Sequence, residues 1–277
     1  MEPEPADVVV DGLLAAGTGL LVVVTGAGVS LASGIPTFRG SDPDAVWTRD
    51  VTELGTNRYF LADPVGSWRW YTSRFDRVLD KAPNAAHHAL VGVERWQRAR
   101  GGDFVLVTQN VDTLHEKAGS EALVKVHGSA DRVRCSRRGC VHGAPRGSLA
   151  RAEVDTAAFH AAPSLATVPR CPACGALLRQ HVLWFDEFYD EHVDYQWPRV
   201  LASAEEMAAL LCVGTSFSVG VTELFVHAAV TRRVPAVAID PGASAPPHPR
   251  IRLIREPAEV VLPEACARLG IDVAHAR

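Results

Sequence analysis

Nothing in this 277-residue sequence favours a nucleic-acid or membrane partner. The formal charge is −4, with no basic excess to draw the chain onto a phosphate backbone. No apolar run is long enough to span a bilayer. The amino end, Met1-Glu2-Pro3-Glu4-Pro5, lacks the basic start and apolar stretch of a signal peptide, so a cytoplasmic location is expected. Lysine is scarce, Lys81, Lys117 and Lys125 being the only ones, and no internal repeat is present. With 47% apolar residues the chain can still bury one large core plus a small appended unit.

A further absence lies in the segment 21–40, LVVVTGAGVSLASGIPTFRG. Leu21 to Val24 suit a strand buried on both faces. Gly26 and Gly28 then let the backbone approach a ligand, and Ser30 is placed to cap a short helix whose amino end favours an anion. The dehydrogenase fingerprint wants a third glycine three residues after Gly28, where this chain has Leu31. Its acidic residue about 20 residues on is also missing, since that stretch is the loop Gly40-Ser41-Asp42-Pro43-Asp44. A lone glycine turn after a strand is a weak sign of a nucleotide site, and this one departs from the dehydrogenase form.

Apolar runs of strand character recur at 20–25, 104–108, 122–126, 209–213 and 234–239, with helix-like stretches at about 64–80, 84–99, 188–206 and 222–231. This alternation predicts an α/β layered domain with a mainly parallel sheet. Ligands then sit beyond the carboxyl ends of the strands, where loops start at Thr25, Thr108, His127 and Gly214. Between Ala130 and Arg179 the strand-like runs stop and Arg, Gly, Pro and Cys take over, as in an inserted module. Pro241 to Pro249 reads as a surface loop between the last strands.

Cys135-x4-Cys140 and Cys171-x2-Cys174 form two knuckles with the spacing of a zinc site. Four thiolates would satisfy a tetrahedral ion completely, leaving no position for water, so such a site is structural. Unligated or redox-active thiols are the alternative, while Cys212 and Cys266 read as core residues.

Thr108-Gln109-Asn110-Val111-Asp112 ends a strand in amide and carboxylate groups suited to a ribose or a carboxamide. His127, after the strand Leu123–Val126 and before Gly128, reads equally as a general base or as a satisfied structural histidine. His87 and His88 read as capping or packing residues, and His115 as a structural or supporting one. Gly214-Thr215-Ser216 suits backbone and hydroxyl contacts with phosphate, or an ordinary helix cap.

Together these segments resemble the sirtuin family of NAD-dependent protein-lysine deacylases. The matches are Gly26-Ala27-Gly28-Val29-Ser30, Ser33-Gly34-Ile35-Pro36, Phe38-Arg39, Thr108 to Asp112, His127-Gly128, the cysteine pairs, Trp184-Phe185-Asp186-Glu187 and Gly214-Thr215-Ser216, in order over about residues 20 to 265. The resemblance implies a Rossmann-type NAD domain over 1–130 and 181–277, with a cofactor loop and helical module at 40–82, and an inserted zinc module at 131–180. It implies that the acyl oxygen of the substrate attacks C1′ of the nicotinamide ribose, that nicotinamide leaves, and that His127 is the general base on the ribose hydroxyls. Free lysine and O-acyl-ADP-ribose would be the other products.

By the same resemblance Gly26, Ala27, Gly28, Thr37, Phe38 and Arg39 line the nicotinamide and phosphate side. Asn110 and Asp112 stand near the nicotinamide ribose and carboxamide, Gln109 faces a ribose hydroxyl, and Gly214, Thr215 and Ser216 take phosphates. Asp240 occupies the adenosine-ribose position. Val182, Leu183, Trp184 and Phe185 belong to the strand that pairs with acylated-lysine protein substrates. Tyr71-x-x-Arg74 resembles the pair of desuccinylase-type members: three apart on a helix, a phenol and a guanidinium can grip one carboxylate. Thr37 in Pro-Thr-Phe-Arg points the same way, towards succinyl or malonyl groups beside acetyl.

Two departures stand out. Asp186 replaces the family's usual glycine and adds an acid beside the peptide groove, which would disfavour acidic substrates or select basic flanks. The Cys135/Cys140 spacing is wider than the common one. The same NAD cleavage can end at a protein nucleophile or at water, so an ADP-ribosyltransferase or NAD glycohydrolase is the alternative enzyme, and a non-catalytic NAD-binding module the alternative class.

Overall fold

The computed structural model describes residues 3–36, 51–217 and 220–273. Thr37, Phe38 and Arg39, expected at the nicotinamide, lie outside the described residues, as does most of the expected cofactor loop. The described helices are α1 (Pro5–Leu14), α2 (Val51–Leu54), α3 (Asn57–Ala62), α4 (Pro64–Leu79), α5 (Ala85–Ala99), α6 (Leu114–Ala118), α7 (Ala157–Ala161), α8 (Trp197–Glu206), α9 (Gly220–Arg232) and α10 (Ala258–Arg268).

Among the described residues a large parallel sheet contains β1 (Leu20–Thr25), β2 (Asp103–Thr108), β3 (Leu123–Lys125), β7 (Met207–Val213), β8 (Ala236–Ile239) and β9 (Ile251–Ile254). A small antiparallel sheet contains β4 (Gly128–Cys135), β5 (Leu149–Ala150) and β6 (Leu178–Val182). The large sheet runs β3-β2-β1-β7-β8-β9, so strand order reverses between β1 and β7. A crevice opens at such a switch point, beyond the carboxyl ends of the strands.

The apolar run of β1 is buried on both faces because alternate residues serve different layers. Leu21 and Val23 pack with α1, α5 and α10, and Val22 and Val24 with α8 and α9. Burying each such side chain contributes about 1.5–3 kcal/mol, which is why the strand shows continuous rather than alternating hydrophobicity. α5 starts where Asn84 Oδ1 accepts from Ala86 N at 2.9 Å and His87 Nδ1 accepts from Asn84 N at 3.3 Å. His87 is thus a cap, in keeping with its sequence reading.

The stretch 188–206 is not one helix. It folds as two 3-10 turns, Tyr189–Glu191 and Val193–Tyr195, before α8 begins at Trp197 with Pro198 in its first turn, where a missing N–H costs nothing. Strands also occur where the sequence pattern suggested none. β4 and β6 escape notice because two of their buried residues are Arg134 and Arg179, held inside by Glu187, whose carboxylate accepts from Arg134 Nη2 at 2.6 Å and from Arg179. Burial would push Glu187 up, but Arg179 and then Arg134 outweigh it and hold the carboxyl below its usual range.

Candidate active site

The loops after β1 and β7 interlock. Gly28 N donates to Gly214 O at 2.9 Å and Gly26 N to Val213 O at 3.1 Å. A Cβ on Gly28 would lie 2.7 Å from Gly214 Cα, and one on Gly214, whose φ is +60°, would lie 2.3 Å from Val29 N. These glycines therefore permit close approach of two backbones, a requirement that exists before any ligand is bound. Gly26 caps the 3-10 helix Ala27–Ser33, so Ser30 is inside that helix and not its cap. Its hydroxyl instead donates to Asp112 Oδ2 at 2.9 Å.

That bond draws the β1 and β2 loops together. Asn110 Nδ2 donates to Gly26 O and to Ser30 Oγ, each at 3.1 Å, while Asp112 Oδ1 accepts from Leu114 N at 3.0 Å at the start of α6. Both side chains are buried. Gln109 Nε2 donates to Thr222 Oγ1 at 2.9 Å and to Thr215 Oγ1 at 3.3 Å, tying the third loop to α9. Ser216 is exposed beside Thr215, and Asp240 is half-buried just past β8, its carboxyl pushed up by burial. Gly26, Ala27, Gly28, Gln109, Asn110, Asp112, Gly214, Thr215, Ser216 and Asp240 thus all sit on loops leaving one end of the parallel sheet. Lys125 Nζ supports the underside, donating to Asp112 O, to Ser129 Oγ at 2.7 Å and to Glu116 Oε1 at 2.6 Å.

His127 lies between β3 and β4, where its carbonyl accepts from Leu183 N at 2.9 Å. Nδ1 is 2.8 Å from Gln109 O and Nε2 3.3 Å from the Tyr189 hydroxyl. A backbone carbonyl can only accept, so Nδ1 carries the proton and Nε2 keeps its lone pair. Burial pushes the imidazole down to about 4, against the opposing pull of the Gln109 carbonyl, so the ring is neutral near neutrality. Tyr189 stacks on His127 at 5.8 Å and on Trp197 at 4.5 Å. Sequence reading missed Tyr189 because 188–206 looked like a single helix. Pro198 was the available signal, since proline belongs in a helix's first turn.

Val182 ends β6 and Leu183 follows it, Trp184 is buried and Phe185 is exposed. Trp184 stacks on Tyr71 at 6.3 Å and packs against Phe60 at 5.5 Å, and the Arg179 guanidinium carbon lies 3.0 Å from its ring centroid. Tyr71 is buried against this cluster and its hydroxyl is pushed up, chiefly by burial, with Arg179 opposing. One turn on, Arg74 is half-buried, its guanidinium 4.4 Å from the Trp70 ring centroid and Nη1 donating to Trp70 O at 3.1 Å.

Asp186 is not a free charge at the groove. Its carboxylate accepts from Asn57 N at 2.7 Å and Arg58 N at 3.1 Å, at the positive end of α3, while Phe185 N donates to Gly55 O at 3.0 Å. Its negative charge is therefore held against the start of α3 by two backbone amides.

The four knuckle cysteines converge. Cys135 and Cys174 sulfurs are 3.4 Å apart, Cys140 and Cys171 sulfurs 3.7 Å, and all four lie within 4.8 Å of one another. An ion held at about 2.3 Å from each sulfur needs edges of about 3.8 Å, so the donor set fits tetrahedral zinc despite the wide first spacing. His142 is not needed as a ligand.

The sequence model of the Sir2 family matches residues 26–221. An NAD-dependent protein deacylase of Thermus thermophilus is 40% identical over 200 residues, covering 72% of this chain and 70% of its own length. NAD-dependent protein deacylase 1 of Pseudomonas aeruginosa is 37% identical over 265 residues, 92% and 96% of the two chains. The mitochondrial NAD-dependent protein deacylase sirtuin-5 of Canis lupus familiaris is 33% identical over 260 residues, 89% and 81%. Among solved structures, a Sir2 homologue in complex with NAD superimposes with a TM-score of 0.76 at 33% identity, over 97% of this chain and 95% of that one.

Proposed function

This chain belongs to the Sir2 family, and from that premise we propose that it is an NAD-dependent protein-lysine deacylase with a preference for acyl groups ending in a carboxylate. The observation that carries the activity is His127, half-buried and neutral, with Nε2 unprotonated beside loops that gather Gln109, Asn110 and Asp112. NAD is the co-substrate. The interlocked glycines Gly26, Gly28 and Gly214, with Ala27, Thr215 and Ser216, bind it on the phosphate side, Asn110 and Asp112 bind the nicotinamide ribose and carboxamide, and Asp240 the far ribose. His127 Nε2 takes a proton from a ribose hydroxyl once nicotinamide has left, which a neutral imidazole can do without first losing a proton. The four cysteines hold a zinc ion whose contribution is structural.

The acyl preference rests on Tyr71 and Arg74. They stand three residues apart on α4, with Tyr71 fixed against Trp184 beside the substrate strand. A carboxylate reaching this face meets a phenol and a guanidinium, whereas an acetyl group offers them no charge. Asp186 directs its carboxylate to the amides of Asn57 and Arg58 at the start of α3. Mass spectrometry of reactions with NAD and acetyl-, malonyl- or succinyl-lysine peptides tests both parts. Deacylation with succinyl and malonyl favoured is expected. Acetyl favoured would overturn the preference, and nicotinamide release without deacylation would overturn the deacylase reading in favour of ADP-ribosyl transfer or NAD hydrolysis.

A further inference from the structure

We propose that the protein binds a second divalent transition-metal ion of the zinc class at His181, His192 and Asp194, on the side of the small sheet away from the four cysteines' knuckles. His181 lies in β6 and is almost completely buried, yet neither Nδ1 nor Nε2 has a hydrogen-bond partner. Polar side chains so enclosed are nearly always bonded, and here the ring meets a carboxylate without forming a well-aligned hydrogen bond to it. Its Nε2 stands 3.0 Å from Asp194 Oδ2 but out of line for a hydrogen bond, and His192 Nδ1 stands 3.7 Å from the same oxygen. An ion about 2.0–2.1 Å from each ligand needs ligand separations of about 3.3 Å, a value the two distances bracket.

The supporting bonds are those of a metal site. His192 Nε2 lies 3.0 Å from Gly147 O, so this nitrogen carries the proton and Nδ1 presents its lone pair, now accepting from Asp194 N at 3.1 Å. Ser148 Oγ donates to Asp194 Oδ2 at 2.7 Å, orienting the carboxylate. His181 and Asp194 line a cavity of about 290 Å³, so solvent can supply a fourth ligand and the ion can exchange. Cations near the cavity are already engaged: Lys125 pairs with Glu116 at 2.6 Å, and Arg132 Nε donates to Ser148 Oγ at 2.7 Å.

Two imidazoles and one carboxylate select a borderline ion over calcium or magnesium, which prefer all-oxygen sets. Bound there, the ion would fasten β6 to the turns that carry Tyr189. The test is zinc content per chain, measured by atomic emission on the untagged full-length protein after dialysis against buffered micromolar free zinc. Two zinc per wild-type chain are expected, and one in Asp194→Asn and His192→Gln, both of which keep the four cysteines. Cobalt substitution gives a second readout, because the second equivalent should add visible absorption without a thiolate charge-transfer band. One zinc in the wild type, or two retained in both variants, would overturn the site.

Discussion

His127 Nδ1 lies 2.8 Å from the carbonyl oxygen of Gln109, and this contact decides which end of the imidazole is basic. Gln109 follows β2 directly, so the tautomer is set by the strand that also delivers Asn110 and Asp112. His127→Ala should therefore lower kcat for deacylation by about 10²–10⁴ with little effect on the melting temperature. Tyr189→Phe removes only the hydroxyl 3.3 Å from Nε2 and should cost less than tenfold. Steady-state kinetics with a fixed acyl peptide check both, and full activity in His127→Ala would remove the general-base assignment.

Arg74→Met should reduce desuccinylation about 10–100-fold while changing deacetylation little, since a charge-assisted hydrogen bond contributes about 1.5–3 kcal/mol. Comparing kcat/KM for matched succinyl- and acetyl-lysine peptides reads the split. Equal losses on both would mean that Arg74 serves the fold through Trp70, on which its guanidinium rests.

Asp186→Gly should lower stability by about 0.5–2 kcal/mol, because two amides at the start of α3 lose their acceptor. It should also raise KM for peptide more than it lowers kcat, since Asp186 and Phe185 hold the substrate strand against residues 55–58. Denaturant melts and peptide titrations at saturating NAD separate the two effects.

Acid should destabilise the fold before the carboxylates titrate. Burial pushes His87 and His127 down to about 4 from an unfolded value of 6.5, and His115 well below it. Between those values the unfolded chain binds protons that the native chain does not, so stability is full above about 6.5 and falls as the pH drops towards 4. His87 and His127 each contribute on the order of 1–3 kcal/mol to that loss, and His115 adds to it in the same direction. Melting temperatures measured at intervals from pH 7.5 to 4.5 should decline steadily; a flat profile would contradict the burial of these histidines.

Gly214→Ala should abolish NAD binding and sharply reduce soluble yield, as its Cβ would stand 2.3 Å from Val29 N at a φ of +60°. Calorimetric titration with NAD, or its thermal-shift equivalent, gives the answer. Normal affinity would show that the two loops can separate.

Much of this was readable because a parallel sheet buries both faces of its strands, leaving runs such as Leu20–Thr25 and Asp103–Thr108 that no helix pattern imitates. The loops at their ends were readable for the same reason, since a strand that stops in Gly or in Gln-Asn places those groups at a known edge. The small sheet was hidden, because Arg134 and Arg179 in its interior depend on Glu187, a partner that periodicity cannot reveal. The contacts of Asp186 were hidden for a related reason: whether an acid stands free or binds helix amides depends on where Asn57 and Arg58 come to rest. Tyr189 and Asp194 were obscured by a helical reading that Pro198 should have cut short.

The scarcity of lysine gains a meaning from where two of the three lie. Lys125 binds the backbone beneath Asp112, and Lys117 Nζ donates to the carbonyls of Leu79 and Lys81. Acylation would turn either ammonium into a neutral amide with a single N–H, breaking most of those bonds and weakening the floor beneath Asp112 or the anchor of the α4 end. Two of the chain's three lysine amines thus act as struts whose charge the fold uses.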